Sequence, residues 1–484
     1  MEKSETTPIE GISREQLERP RLTFKEKFGY SLGDMASNLY FQMFVLFLPI
    51  FYTDVFGLSA AAMGTMMLVT RVWDAVNDPI MGMIADRTES RWGKYRPYLA
   101  GLAIPLAVAG VLTFTVPDLA GSGKLIYAYV TYILLVMMYT AVNVPYAALM
   151  GVITPNSSER TEVSSYRFAA AFVGQLIVGF ATLSLVELFG GGNEALGWQM
   201  TMVAYGLLAA LLLMTTFFMT RERVTPAKVV RNKVSHDLGD LIRNKPWMLI
   251  AGATLFQLTY IVMRGSSTAY YFRYYVGEGE LALFGWTIPL SYAIFTSAFV
   301  TVGSFSTLIG AVTTKLFTKR IDKKNIYSYF LMLSAGFSAL FFFVDPSQVL
   351  LIFFLNVLVS FFFGSVSVLQ WAIYTDAADY GEWKFNRRAT ALIMAASLFA
   401  LKLGLTLGGA FVGWVLELHN FVPNVEQTEE AILGIRLLMS FYPAIFGIIG
   451  GLLMLLYPLK DTLMVQIEKE LEERKAQKEA EDNA

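Results

Sequence analysis

The sequence predicts an all-α membrane protein with twelve transmembrane helices, arranged as two six-helix bundles. Of its 484 residues, 55% are hydrophobic and only 16% are charged, with a mean hydropathy of +0.50, whereas soluble domains carry about a quarter charged residues. Apolar stretches of about 20 residues, long enough to cross a bilayer, recur about twelve times, and basic residues cluster in alternate loops. These three observations define the fold class.

The predicted helices follow one another with short connections, and their even number places both chain ends on one side of the membrane. The first segment, 1–27, is polar and lacks the apolar core of a cleaved signal peptide, so the first helix must act as its own insertion signal. In chain order, we expect helices near 28–54, 60–85, 98–117, 124–152, 163–189, 198–219, 247–276, 286–314, 325–344, 347–375, 389–416 and 433–458.

Basic residues indicate which side of the membrane each loop faces. They are concentrated after the second, sixth and eighth helices, and the opposite loops carry almost none. Because Lys and Arg are retained in cytoplasmic loops, both termini are expected in the cytoplasm. The residues concerned are Arg87, Arg91, Lys94 and Arg96, the seven basic residues of 221–245, and Lys315, Lys319, Arg320, Lys323 and Lys324, with Lys124 as the main exception.

The basic cytoplasmic loop 220–246 divides the chain into an N-terminal bundle, 28–219, and a C-terminal bundle, 247–458. The loops after the second and eighth helices resemble each other, which favours two related halves that rock about a site at the midplane. The tail, 459–484, mixes Glu and Lys, a pattern typical of a solvated cytoplasmic helix.

Residue usage excludes several classes of chemistry. The chain has no cysteine, which excludes disulfides and thiol chemistry, and its two histidines argue against a histidine-rich metal site. Neither a nucleophile–base pair nor a nucleotide-binding loop is found, so we expect a carrier driven by an ion gradient, without a cofactor, and not an enzyme. The net charge of −1 gives no sign of nucleic-acid binding. Short outer loops and the lack of cysteine favour the inner membrane of a bacterium, and nothing requires more than a monomer.

The second helix carries a cluster of polar residues where lipid is expected. Arg71, Asp74, Asn77 and Asp78 are spaced so that they share one helix face. A charge at the bilayer centre costs at least about 2.5 kcal/mol, so such a cluster indicates a polar cavity, an ion pathway or a ligand site. The structural alternative is that the two acids pair with Arg71 or with Lys402 and only hold helices together.

Two runs of this region, Trp73–Gly82 and Ser90–Pro97, closely resemble the glycoside–pentoside–hexuronide:cation symporter family of the major facilitator superfamily, whose best-known type is melibiose permease. The similarity covers roughly residues 24–460. It extends through Gly33-Asp34, Tyr52-Thr53-Asp54, Asn143-Val144-Pro145-Tyr146, Tyr166-Arg167-Phe168, the run 376–382 and Lys402.

The resemblance implies a cation site. Asp34, Asp74 and Asp78 are expected to hold Na⁺, with Li⁺ or H⁺ as substitutes and Asn77 beside them, because hard cations take oxygen ligands. Repulsion among packed carboxylates keeps a proton as an alternative coupling ion. Arg71 and Lys402 are expected to balance these acids, Lys402 in particular when the cation is absent.

The resemblance also implies a sugar site at Asn143 and Arg167, with departures from the melibiose type. That type has an acid where Asn143 stands and an aromatic residue where Ala147 stands, so galactoside recognition is not expected. Arg167 keeps the guanidinium that grips hydroxyls, and Tyr139 remains as a ring on which a sugar could stack.

Arg264 lies inside the predicted seventh helix with no acid nearby in sequence. It makes the expected cavity more positive, which favours an anionic substrate such as a uronic acid or a glucuronide, clamped by Arg264 or Arg167. An intramembrane arginine can equally be a gate or an ion-pair element. Neutral pentosides or oligosaccharides are therefore the alternative substrates, and a lysolipid carrier is a third possibility.

Charged residues of the cytoplasmic loops suggest an inner gate. Asp86 and Arg91 belong to one half, and Asp376 and Asp379 to the other. If they pair across the halves, they close the inner side while the outer side is open; the alternative is that these charges only enforce orientation. Altogether, the sequence predicts a secondary active symporter for a glycoside and a monovalent cation, embedded in the lipid bilayer.

Overall fold

The computed structural model describes residues 22–154, 157–223, 243–283, 286–385 and 390–482. Within these ranges the chain is helical apart from one two-stranded hairpin. The predicted helices form in the predicted order, with ends that differ by several residues.

Six long helices make up the N-terminal half of the described chain. The first begins with a capping box: the Thr23 hydroxyl accepts a hydrogen bond from the Glu26 amide, and the Glu26 carboxylate accepts one from the Thr23 amide. The helices are α1 (Phe24–Gln42, prolonged by Leu48–Ile50 and by the π-helical segments Met43–Phe47 and Phe51–Val55), α2 (Ala60–Arg87), α3 (Arg96–Thr113), α4 (Ser122–Ile153), α5 (Ser157–Gly190) and α6 (Glu194–Met219).

The C-terminal half repeats this arrangement and adds a hairpin and a terminal helix. Its elements are α7 (Lys245–Tyr270, prolonged by the π-helical segment Tyr271–Val276), strands β1 (Gly279–Leu283) and β2 (Trp286–Leu290), α8 (Tyr292–Thr318), α9 (Lys323–Leu340, followed by the 3₁₀ turn Phe341–Phe343), α10 (Val349–Phe385), α11 (Thr390–Leu418), α12 (Glu429–Met439), α13 (Phe441–Leu455) and α14 (Asp461–Asp482).

Eleven spans of the described chain are long and apolar enough to cross a membrane, and α12 with α13 counts as one of them. The helix α2 is not among the eleven, although its 28 residues are enough to cross. It carries Arg71, Asp74 and Asp78 within its length. Its neighbours are α4 and α11, so these charges lie among protein helices.

Two element boundaries depart from the sequence prediction. The helix expected over 286–314 begins only at Tyr292, because 286–290 pairs in antiparallel fashion with 279–283. Pro289 disfavours helix at this point, and the Ser291 hydroxyl caps the new helix start by accepting from the Ile294 amide. In addition, α10 continues to Phe385 instead of ending near 375, which puts Asp376 and Asp379 inside a helix and not on a loop.

Close helix packing joins the two halves along α2 and α11. Gly64 and Gly413 face each other there, and a Cβ added at Gly413 would lie 2.3 Å from the carbonyl oxygen of Ala60 and 2.8 Å from Cα of Gly64. These neighbours are backbone atoms, so a side chain at Gly413 cannot be accommodated without moving a helix.

Gly413→Ala is expected to lower the melting temperature of the detergent-purified protein, because overpacking costs about 1–3 kcal/mol. Gly336→Ala in α9 is the matched control, since a Cβ there meets nothing within 4 Å. That variant should be neutral or slightly stabilising, because alanine forms helix better than glycine by up to about 1 kcal/mol. Equal melting temperatures for the two variants would contradict the close contact.

Candidate functional site

Two carboxylates of α2 meet a lysine of α11 inside the bundle. Asp74 is only 3% exposed, and its Oδ2 lies 3.1 Å from Nζ of Lys402, which also contacts the Asp78 carboxylate. Thr140 of α4 completes this group, with its hydroxyl 2.9 Å from Oδ1 of Asp74 and 3.2 Å from Oδ1 of Asp78. We call Asp74, Asp78, Thr140 and Lys402 the carboxylate cluster.

Two further residues of α2 border the carboxylate cluster. Arg71 Nη1 lies 3.6 Å from Oδ2 of Asp74, one helical turn away. Asn77 is buried, and within the described part of the chain its Nδ2 has no hydrogen-bond partner. The polar face predicted for α2 is therefore formed, and the amide group of Asn77 is available to bind a ligand.

Thr140 is a member of this cluster that sequence reasoning missed. Threonines inside apolar helices usually donate to a carbonyl of their own helix, as Thr113 and Thr182 do here. The only sequence signal was its position beside Tyr139 and one turn before Asn143.

Asp34 does not join the acids of α2, contrary to expectation. Arg167 of α5 binds it instead, with Nη2 3.3 Å from Oδ1 and Nε in contact with Oδ2. The reason is that α1 packs along α5, so this carboxylate faces a two-pronged donor. Accordingly, the described residues contain no group of three or more Asp, Glu or His side chains arranged to hold a metal ion.

The other residues predicted for sugar binding lie next to this ion pair. The Arg167 guanidinium lies 5.7 Å from the ring centre of Tyr30 and 5.3 Å from that of Tyr146. Asn143 accepts from the Ser37 hydroxyl at 2.6 Å and donates to the carbonyl of Tyr139 at 3.1 Å.

Tyr139 is only partly buried, and its ring packs edge-on against Phe44, 5.6 Å between centres. Its ring therefore has a fixed neighbour in α1 and some surface that is not covered by protein.

A cavity of about 490 Å³ lies between the two halves. Both halves contribute polar side chains to its wall. They include Gln42 and Gln175 from the N-terminal half, and Gln257, Arg264, Asn356, Gln370 and Trp371 from the C-terminal half. The sequence singled out Arg264 alone among them.

Arg264 is buried without an acid beside it. It is 5% exposed, and its Nη2 donates to Oδ1 of Asn356 at 3.0 Å. Its guanidinium lies 5.3 Å and 4.9 Å from the ring centres of Phe299 and Phe341. In the part of the chain that the structure describes, no carboxylate lies within 4 Å of it, and its Nε has no hydrogen-bond partner.

In the described part of the chain, three of the predicted inner-gate residues, Asp86, Arg91 and Asp376, each contact a residue of their own half. Asp376 pairs with Lys323 of its own half at 2.5 Å, and Arg91 stacks on the neighbouring Trp92. Asp86 accepts a hydrogen bond of 2.9 Å from the Tyr95 hydroxyl. Burial and this hydrogen bond raise the pKa of Tyr95 to about 12, so the hydroxyl keeps the proton that it donates. Asp379 lies three residues after Asp376, inside α10.

A cluster that joins the halves is found at the opposite end of the helices. Arg273, after α7, lies 3.5 Å from the Asp54 carboxylate at the end of α1 and 3.1 Å from Glu194 of α6. The Tyr274 hydroxyl donates to Asp54, and Asn424 donates to the Asp54 carbonyl. We call this the far-face cluster, since it lies opposite the face where α1 begins.

Sequence reasoning missed the far-face cluster, apart from quoting Asp54 within a family motif. The signal available was that Glu194 and Arg273 are charges at helix ends on the side that is poor in charge. Their pairing required knowledge of which helices are neighbours.

Comparisons with known proteins agree with this arrangement. Residues 29–461 match the family described as MFS/sugar transport protein. YagG of Escherichia coli, a putative glycoside/cation symporter, is 38% identical over 95% of this chain and 97% of that protein. The isoprimeverose transporter of Lactiplantibacillus pentosus is 32% identical over 94% of this chain and 93% of that protein. A glucuronide carrier protein homolog of Escherichia coli is 29% identical over 94% of this chain and 97% of that protein.

Solved structures also share the fold. An inward-facing, unoccupied bacterial homologue of the human lysosomal transporter Spinster superposes with a TM-score of 0.65, over 90% of this chain and 95% of that chain, at 15% identity. The resemblance read from the sequence is confirmed: the chain is a multi-pass transporter of the bacterial inner membrane and not an enzyme, and it belongs to the glycoside–pentoside–hexuronide:cation symporter family of the major facilitator superfamily.

Proposed function

We propose that this chain is a secondary active symporter that couples inward transport of a glycoside to Na⁺ or H⁺ by alternating access. The observation that carries the proposal is the carboxylate cluster, because two acids inside a membrane-length helix have their compensating ammonium on the other half of the protein. In such an arrangement, the charge of the carboxylate cluster and the relative position of the two halves depend on each other. The relative YagG, a putative glycoside/cation symporter, supports the same function.

The topology that goes with this function has α2 as the twelfth transmembrane helix and both termini in the cytoplasm. Basic residues after α2, α6 and α8 support that orientation. The far-face cluster is then extracellular and closed, and the pairing of its residues supports an inward-open state. A single chain supplies both halves and the whole proposed site, which supports a monomer as the functional unit.

The cation site in this proposal comprises Asp74, Asp78, Asn77 and Thr140. All four present oxygen atoms, the ligands that hard cations take. The Lys402 ammonium contacts both carboxylates in the structure, so an entering cation displaces it, and Arg71 retains a contact with Asp74. Since Asp34 pairs with Arg167, we assign Asp34 to the sugar site and not to the cation.

The sugar site in this proposal is formed by Asp34, Arg167, Asn143 and Tyr139. A carboxylate and a guanidinium that already share hydrogen bonds can exchange them for bonds to adjacent hydroxyls of a sugar. The central cavity of about 490 Å³ is lined by Gln42 and Gln175, which lie on the same helices as Asp34 and Arg167, and its amide side chains suit a small, hydroxyl-rich ligand.

The charge balance favours an acidic glycoside, a uronic acid or a glucuronide. Four basic side chains face three acidic ones, which leaves a formal charge of +1 before any ligand binds. A glucuronide carrier homolog among the relatives agrees with this class, whereas the isoprimeverose transporter supports a sugar transporter of another substrate. The residues counted are Arg71, Arg167, Arg264 and Lys402 against Asp34, Asp74 and Asp78.

Asp78→Asn is expected to reduce cation-driven uptake at least tenfold, because it removes one of the two carboxylates that bind the cation. The measurement is uptake of a labelled glucuronide and a labelled glucoside into sealed membrane vesicles, with inward gradients of Na⁺ or H⁺. Asp118→Asn, at an exposed position between α3 and α4, should keep wild-type uptake. If wild-type vesicles accumulate neither sugar under either gradient, the proposed function fails; if the Asp78 variant keeps its cation dependence, Asp78 is not a ligand.

Asp54→Asn is expected to open the extracellular side, because it weakens the contact to Arg273 that joins the halves. The chain has no cysteine, so Gln42→Cys in the cavity wall gives a single reporter thiol. Labelling of intact cells with a membrane-impermeant maleimide should rise several-fold in the Asp54 variant. Glu162→Gln is the control, since its partner Lys27 lies in the same half. Equal labelling with and without the Asp54 change would argue against an extracellular gate.

A further inference from the structure

Arg264 has the surroundings of a binding residue with an unused charge. A buried charge is unfavourable unless an opposite charge compensates it, and a guanidinium cannot shed its proton to avoid that cost. In the described chain, only Nη2 of its three nitrogens has a hydrogen-bond partner, and that partner is the neutral amide of Asn356.

The Asn356 amide is held so that its oxygen faces Arg264. Its Nδ2 donates to the backbone carbonyl of Phe299 at 2.8 Å, and its Oδ1 accepts from Arg264 at 3.0 Å. Gly303 makes room for the amide, since a Cβ there would lie 2.9 Å from Nδ2. Asn356 is 2% exposed, so it positions the guanidinium without neutralising it.

The two phenyl rings limit where a ligand can approach. Phe299 and Phe341 lie near the guanidinium, and aromatic faces are favourable neighbours for a cation but supply no hydrogen-bond acceptor of useful strength. A planar guanidinium binds carboxylates through its edge, with two parallel hydrogen bonds. Arg264 belongs to the wall of the central cavity, so an anionic group in the cavity can reach it.

We propose that Arg264, positioned by Asn356, binds the carboxylate of the transported sugar acid, and that the neutral amide at position 356 determines the preference for acidic substrates. This inference rests on the proposed symport function and assigns the substrate class to one subsite. The amide of Gln257, which lines the same cavity, is suited to the hydroxyls of the remaining sugar. The carboxylate of the substrate then supplies the negative charge that the described surroundings of Arg264 lack.

Asn356→Asp tests this assignment with little change of shape. The new carboxylate would pair with Arg264 and neutralise it, so the guanidinium would no longer attract an acid. Gln370→Glu is the matched control: it places a carboxylate in the same cavity wall and the same helix, about 21 Å further along its axis. A general electrostatic effect of added negative charge would act in both variants.

The probes are 4-nitrophenyl β-D-glucuronide and 4-nitrophenyl β-D-glucoside, which differ at the sugar only in a carboxylate against a hydroxymethyl group. For uptake into vesicles, the wild type should show the lower KM for the glucuronide. In Asn356→Asp that KM should rise at least tenfold, with the KM for the glucoside within twofold of its wild-type value. Gln370→Glu should change the ratio of the two KM values much less, and Arg264→Gln should resemble Asn356→Asp.

A binding assay on the full-length purified protein separates this inference from the symport proposal. The glucuronide should raise the melting temperature of the wild type more than the glucoside does, and Asn356→Asp should abolish the difference. If that pattern is found without any uptake, the carboxylate subsite stands and the symport proposal fails.

Three results would overturn the subsite. The first is equal KM values and equal melting shifts for the two probes in the wild type. The second is an equal loss of uptake of both probes in Asn356→Asp, which would indicate that Arg264 is a structural or gating element. The third is a melting shift with sodium chloride as large as that with the glucuronide at equal concentration, which would mean a structural anion site and not a substrate subsite.

Discussion

The Lys402 ammonium pairs with the carboxylates of Asp74 and Asp78, and the rest of the structure depends on this interaction. Hydrocarbon offers no water to a buried charge, so each carboxylate of α2 needs a partner inside the protein. The partner comes from α11, in the other half of the chain. A cation that binds these acids therefore competes with a contact between the halves, and ion binding has a direct effect on how the halves are held.

The described ion pairs divide into two kinds with different consequences. Asp34–Arg167 lies within the N-terminal half and Lys323–Asp376 within the C-terminal half, so these pairs move with their own half. The contacts of Lys402 with α2 and of Arg273 with Asp54 join the two halves. Only pairs of the second kind differ in energy between two arrangements of rigid halves, and only they can couple ligand binding to alternating access.

The sequence was sufficient for features that depend on position within one helix. The spacing of Arg71, Asp74, Asn77 and Asp78 predicts a shared face, and the structure places all four in or beside one cluster with Thr140 and Lys402. Charge patterning likewise predicts the loops and the division into halves. Strand β2 stands where the start of a helix was predicted. Pro289 and Ser291 indicate the later helix start, but the residues there are apolar, and hydropathy does not distinguish strand from helix.

The sequence was not sufficient for features that depend on how helices are rotated against each other. Asp34 and Asp74 both lie in apolar surroundings of the sequence, and nothing in their spacing says that one faces Arg167 and the other Lys402. The same applies to Thr140, which is unremarkable until α4 is placed beside α2, and to the pairing of Arg273 with Asp54. For α10, the prediction ended the helix at its first charged residues, because the partly buried Lys323 that pairs with Asp376 could not be foreseen.

In the proposed function, the formal charge of the site residues links the coupling ion to the class of substrate. The four basic and three acidic side chains counted above carry +1 together; a bound Na⁺ would raise this to +2, and an acidic sugar would return it to +1. As a general estimate, two opposite unit charges at separations of about 10–15 Å, in a medium of effective dielectric constant about 20, attract by roughly 1–2 kcal/mol. By linkage, each ligand then raises the affinity for the other by the same factor, about five- to thirtyfold. A neutral sugar is not attracted electrostatically by the bound cation, so its coupling to the cation would have to come from the rearrangement of the two halves alone. In this proposal, Arg264 and Lys402 belong to one charge balance. The substrate carboxylate pairs with Arg264, and the cation takes the place of the Lys402 ammonium beside Asp74 and Asp78.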